Sequence, residues 1–162
     1  MRGSRLDEID YKLLALLQDD GRTSQHDLAE AVGLSSPSTG ERLKKLVEHG
    51  VIRGFTAVLD HKALGQDVTA FITVGIDGSD YYEAFVEQTH EAPEVMECHA
   101  VTGEGSHVLR VRTASTSSLE QLLGRVQGWP GVAWTSTSVV LSIGKESTKT
   151  HVAPPAEEDG AG

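Results

Sequence analysis

The stretch Thr23 to Phe55, TSQHDLAEAVGLSSPSTGERLKKLVEHGVIRGF, constrains the fold more than any other part of this chain. Its spacing predicts two short helices joined by a tight turn and followed by a strand or hairpin. Ser24 stands where an N-cap belongs, Leu28, Ala29 and Val32 recur along one helix, and Gly33 sits just past its end. The turn is Gly33-Leu34-Ser35. Ser36 offers an oxygen to the unpaired N–H groups of a second helix, and Pro37 suits a first helical position, which needs no donor. Gly50 is placed to end that helix in the left-handed conformation. Leu43, Leu46 and Val47 form its inward stripe, which leaves Ser38, Thr39, Glu41, Arg42, Lys44 and Lys45 on the opposite face. A helix that reads DNA needs this layout, because its first residues meet base edges and later cations meet phosphates. Ser36, Ser38 and Thr39 are therefore the expected base contacts. Arg42, Lys44, Lys45 and Arg53 are the densest basic cluster and the expected phosphate contacts.

The neighbouring segments supply what a helix pair needs to bury its apolar faces. Upstream, Leu6, Ile9, Leu13, Leu14, Leu16 and Leu17 recur at helical spacing. Downstream, VIRGFTAVLD is β-branched and apolar, as a wing strand would be. Gly40 lies inside the second helix, where glycine costs about 1 kcal/mol relative to alanine; either the helix packs closely there or it is loose.

From Gln66 the texture changes to β-α-β-β-α-β. QDVTAFITVGID reads as a strand, DYYEAFVEQTHEA as a helix through Tyr82, Phe85, Val86 and His90, and PEVMECHAVTGEGSHVLRVRT as two strands about a glycine loop. SLEQLLGRVQGWPG puts Leu119, Leu122, Leu123 and Val126 on one helix face, and VAWTSTSVVLSI reads as the last strand. That order predicts a ferredoxin-like α/β sandwich, two helices on one face of a four-stranded antiparallel sheet. The bare sheet face needs a cover, and a second copy of the same sheet supplies one, so a homodimer is expected.

These pieces resemble the Lrp/AsnC (feast/famine) family of transcriptional regulators. The matching blocks are LDEIDYKLLALLQDDGR, LAEAVGLS, ERLKKLVEHGVIRGFTAVLD, ECHAVTGEGSHVLRVR and PGVAWTSTSVVL, which together cover nearly all of the chain from Leu6 to Ile143. The resemblance implies that the second module, the family's RAM domain, dimerises, assembles further to tetramers or octamers, and binds an amino acid or related small effector between dimers. It puts Val101, Thr102, Gly103, Glu104, Gly105, Ser106 and His107 at the effector pocket, since VTGEGSH resembles the family's V-x-G-x-x-[DS]-[YH] turn. Thr135 and Thr137 resemble the strand hydroxyls that face the same pocket. The chemistry suits an α-amino acid: N–H groups of a glycine-rich turn hold a carboxylate, while Glu104 or threonine hydroxyls receive an ammonium. The chain departs from the family at Ser115, where an acidic residue is common, and at Gly40, where an apolar one is usual.

Other functions are weakened by composition and spacing. The formal charge of −10 argues against a generic polyanion binder, yet it divides as −2 over residues 1–60, −5 over 61–145 and −3 over 146–162. Screening confines surface fields to roughly 10 Å, so the local cluster matters more than the total, and several copies acting together would raise a modest affinity. A single cysteine, Cys98, excludes an internal disulfide, and without a run of about 18 apolar residues a soluble cytoplasmic protein with no membrane partner is expected. Cys98 and His99 adjoin in a strand and point to opposite faces, so they form no dyad. The seven histidines follow no metal-ligand spacing; no metal, no cofactor and no enzymatic activity are expected. Trp129 and Trp134 suit packing at the end of the sheet or an oligomer contact.

The reading is thus an α+β chain. A winged helix-turn-helix at 1–60 and a linker at 61–65 precede a ferredoxin-like effector and oligomerisation domain at 66–145 and a disordered acidic tail at 146–162. It would regulate transcription at a roughly palindromic operator on double-stranded DNA. The rival is a ferredoxin-like sensor or enzyme whose N-terminal helices dock a protein partner; a docking helix would expose apolar anchors where this one carries Ser, Thr, Arg and Lys.

Overall fold

The computed structural model describes residues 6–153, and the chain divides into two compact units. The first holds the residues up to Val58 together with those from Ser147 on; the second runs from Leu59 to Glu146.

Three helices build the first unit: α1 (Glu8–Asp19), α2 (Gln25–Val32) and α3 (Ser36–Glu48). α1 opens with a reciprocal capping box, in which Asp7 accepts from the Asp10 N–H at 2.9 Å and Asp10 accepts from the Asp7 N–H at 3.1 Å. Ser24 caps α2 as expected, accepting from the Asp27 N–H at 3.1 Å, and Gly33 closes it at φ 70°. α3 is capped one residue earlier than the sequence suggested. Ser35, not Ser36, accepts from the Ser38 N–H at 3.3 Å, because the N–H that Ser36 would need, that of Thr39, already bonds the Ser35 carbonyl at 3.0 Å.

Leu13, Leu28, Ala29 and Leu46 form the buried core of this unit, joined by Thr39, which has no exposure at all. The inward stripe of α3 is thus Thr39, half-buried Leu43 and Leu46, while Val47, expected inside, is 49% exposed. The expected wing strand is also missing. Residues 53–59 form no backbone ladder with any described residue, and Phe55, Val58 and Leu59 are exposed. A β-branched sequence favours extension, but a strand exists only where another edge meets it.

Residues 147–153, within the segment expected to be disordered, return to α1. Gln18 bonds both backbone groups of Thr150, donating to its carbonyl at 2.8 Å and accepting from its N–H at 2.6 Å, and Lys149 Nζ lies 2.7 Å from Asp19. The last turn of α1 has no basic residue of its own, so Lys149 brings a cation to the negative end of that helix. Residues 154–162, the rest of the expected tail, lie outside the described residues, as do residues 1–5.

The second unit follows the expected order: β1 (Val68–Ile76), α4 (Tyr82–Glu91), β2 (Val95–Ala100), β3 (His107–Thr113), α5 (Thr116–Gln127) and β4 (Val132–Val139). All pairings are antiparallel and the sheet order is β2-β3-β1-β4, the ferredoxin-like arrangement. Residues 61–65, expected as a linker, form turns that belong to this unit. Ala70, Ile72, Val74, Leu109 and Val111 point to one side of the sheet and pack under Phe85, Leu119, Leu122 and Val126. Trp129 meets Phe85 edge to face at 5.6 Å. His90, expected on the inner face of α4, is exposed; Phe85 and Thr89 are its buried residues. Ser115, where the family often has an acid, caps α5 by accepting from the Ser118 N–H at 3.1 Å.

Strand alternation leaves Phe71, Thr73 and Gly75 of β1 on the side without helices. Arg110 and Arg112 of β3 and Trp134 of β4 share that side. Phe71 is 42% and Trp134 44% exposed there. Arg110 pairs with Glu97 and, at 3.0 Å, with Glu146, and Arg112 meets the same Glu146 oxygen at 2.7 Å. Glu146, expected to begin the disordered tail, is therefore held by two guanidinium groups.

Candidate DNA-reading helix and effector loop

The outer face of α3 carries Pro37, Ser38, Glu41, Lys44, Lys45 and Glu48, all exposed. Ser38 lies in the first turn, where the N-terminal end of a helix approaches base edges, and its Oγ accepts from the Ser35 hydroxyl at 2.9 Å. Lys44 is weakly paired with Glu48 at 3.8 Å, an i,i+4 contact between exposed groups that a phosphate can displace. Arg53 is exposed beyond the helix, and Ser36 is half-buried with its carbonyl accepting from Gln25 at 2.6 Å.

Two expected contacts are corrected. Thr39 points into the core, not toward bases, because positions 39, 43 and 46 share one side of a 3.6-residue helix. Arg42 lies on the same side and is taken by α1: its Nη1 donates to Asp7 at 2.7 Å and Asp10 at 2.9 Å. Hydrogen bonds to Asp7 and then Asp10 raise the Arg42 pKa, while the Asp10 N–H, followed by Arg42, holds the Asp7 carboxyl below the usual carboxylate range. Sequence reasoning missed both aspartates as partners of α3. LDEID carries the capping signal, but nothing in it points thirty residues ahead.

In the second unit the 101–107 loop turns sharply at Gly103 (φ 108°) and Gly105 (φ 81°). Val101, Thr102, Gly103 and Glu104 are exposed. The Ser106 hydroxyl donates to the Val74 carbonyl at 3.3 Å and accepts from the Ile76 N–H at 3.2 Å, which pins the loop to β1. Gly105 and Ser106 line an open cleft of about 340 Å³ with Gly75, Ile76, Asp77, Ala133 and Trp134.

His107 is corrected: it is 3% exposed and turns to the helix side, its ring 4.9 Å from Tyr82 and 5.1 Å from Phe85. It pairs with Val74 in the register and so shares the core side with Leu109. Burial lowers its pKa below the ordinary 6.5. Thr135 and Thr137 pair with Val74 and Ile72 and also face the helix side, where Gln127 donates to Thr135 Oγ1 at 3.2 Å. Within one protomer they do not meet the loop; strand parity puts Trp134 there instead. Cys98 packs toward the core while His99 is exposed beside Glu97, so the neighbours diverge as expected.

A helix-turn-helix unit followed by a ferredoxin-like sandwich with a glycine loop defines a two-domain transcription regulator. Residues 6–53 match the family model for a winged helix-turn-helix DNA-binding domain, and residues 69–150 that for the Lrp/AsnC ligand binding domain. The chain belongs to the Lrp/AsnC family. The HTH-type transcriptional regulator FL11 of Pyrococcus horikoshii is 37% identical over 91% of this chain and 97% of its own length. The leucine-responsive regulatory protein of Escherichia coli is 35% identical over 91% and 92%. Among solved structures, a transcriptional regulator from Neisseria meningitidis in complex with L-methionine superposes with a TM-score of 0.85. It is 32% identical, over 90% of this chain and 96% of that one. The feast or famine regulatory protein of M. tuberculosis complexed with L-methionine gives the same TM-score and identity over 91% and 99%. Among the described residues no helix is long and apolar enough to cross a membrane.

Proposed function

We propose that this regulator reads a roughly palindromic operator on double-stranded DNA through α3, as a cytoplasmic homodimer that assembles further to tetramers or octamers. An amino acid or related small effector, held between copies, controls it. The observation that carries DNA reading is the outer face of α3, where a capped, hydroxyl-bearing first turn precedes exposed Lys44 and Lys45. Ser38 sits nearest the bases, and Lys44, Lys45 and Arg53 take phosphates. The polar character of that face speaks against a protein-docking role, and the relatives named above, all regulators, speak against an enzyme.

Effector binding between copies is supported by the division of the expected pocket. The loop residues Gly103, Glu104 and Gly105 lie at one end of the sheet, whereas Thr135 and Thr137 face its helix side, and this separation within one protomer favours a site shared between copies. Exposed Phe71 and Trp134 on the bare sheet face give a second copy an apolar surface to cover. The L-methionine complexes of two neighbours and the name of the leucine-responsive relative make methionine and leucine the first candidates. The test is a mobility-shift assay on the DNA upstream of the protein's own coding region, with and without each common amino acid, beside sedimentation of the free protein. A shifted band that responds to one of them is expected. No shift, or a stable monomer at micromolar concentration, overturns the proposal.

A further inference from the structure

The two carboxylates at the start of α1 are shared out between two tasks without overlap. Asp7 Oδ1 takes the Asp10 N–H and its Oδ2 takes Arg42; Asp10 Oδ2 takes the Asp7 N–H and its Oδ1 takes Arg42. The capping box holds both side chains in place, so Arg42 meets a preformed pair of acceptors. On α3 the arginine stands in the inward stripe, one turn after buried Thr39 and one turn before buried Leu46. The Asp10 side chain is only 15% exposed and that of Arg42 32%. This bridge is the sole charged contact between α1 and α3 among the described residues.

We propose that Arg42 is a positioning residue: clamped by Asp7 and Asp10, it sets the pitch of α3 against α1, and the sequence preference of DNA reading depends on it although it touches no phosphate. This inference rests on α3 being the reading helix. Lysine is a poor substitute, since both bonds leave the terminal Nη1 and a lysine side chain ends one atom short of that position, so its ammonium falls short of the two carboxylates unless α3 shifts. The charge left for phosphates is then that of Lys44, Lys45 and Arg53.

The test compares two duplexes, one enriched by the wild-type protein from a random library and one of the same composition scrambled, each titrated over a range of salt. Arg42→Lys and Asp10→Asn are expected to lower the preference for the enriched duplex by about tenfold, the size of one misread base pair, with affinity for the scrambled duplex and its salt slope unchanged. Lys45→Ala, the control, weakens both duplexes and lowers the salt slope by about one unit. A flattened slope in Arg42→Ala, like that of Lys45→Ala, makes Arg42 a phosphate contact and overturns the clamp. So does an equal loss on both duplexes that tracks a falling melting temperature, which marks a merely structural role. If wild type enriches no duplex and Lys45→Ala changes nothing, the reading helix itself is wrong. If Lys45→Ala acts while Arg42→Lys and Asp10→Asn do not, only the clamp is.

Discussion

Replacing Gly40 by alanine tests how closely α2 and α3 approach. A Cβ at Gly40 would lie 2.7 Å from Gln25 Nε2 and 3.1 Å from its Cδ and Oε1, so the glutamine must swing away. That movement breaks the 2.6 Å hydrogen bond from Gln25 to the Ser36 carbonyl. Alanine in a helix gains about 1 kcal/mol over glycine, and a hydrogen bond of this kind contributes about 1 kcal/mol net. The two offset, so Gly40→Ala alone should leave stability nearly unchanged. In a Gln25→Ala background the clash and the bond are both gone, and Gly40→Ala should then stabilise by about 1 kcal/mol. For a unit of this size that is a rise of about 4–8 °C in melting temperature. Calorimetry of the four proteins in the double-mutant cycle measures the coupling directly. An equal gain from Gly40→Ala in both backgrounds would refute the reasoning, because it would mean that Gln25 does not constrain this position.

Buried His107 gives a pH signature. Its folded pKa lies below the ordinary 6.5, so the unfolded chain takes the proton first; its contribution is complete above about 6.5 and is lost as pH falls below that value. Melting temperature should drop over that range, and His107→Gln should flatten the drop. Gly75 lies beneath the Trp134 indole with no room for a Cβ. Gly75→Ala should therefore displace the ring, red-shift tryptophan emission and cost about 1–3 kcal/mol. Gln18→Ala removes both bonds to Thr150, and the Thr150 amide should then exchange hydrogen at the rate of an open chain.

Periodicity carried most of the architecture. Both helices of the sandwich and all four strands lie where apolar spacing put them, and Ser24, Gly33 and Gly50 mark helix ends as their chemistry requires. What stayed hidden depends on partners remote in the chain. Thr39 reads as polar and therefore outward, yet its phase with Leu46 turns it inside; Arg42 reads as a free cation until Asp7 and Asp10 come alongside. The 51–60 segment has the composition of a strand but meets no edge among the described residues. The Ser35-Ser36 doublet offered two caps, and only the backbone ladder decided between them. For the effector loop, VTGEGSH located the turn, but strand parity sent His107, Thr135 and Thr137 to the side away from the loop's exposed residues.

The chain visits its first unit twice, leaving after Val58 and coming back at Ser147. A hybrid regulator spliced at the 58/59 junction alone would inherit its first helix from one parent and the lysine that neutralises the end of that helix from the other. Exchanging reading heads between relatives is then a two-cut operation, and the second cut falls just after Glu146.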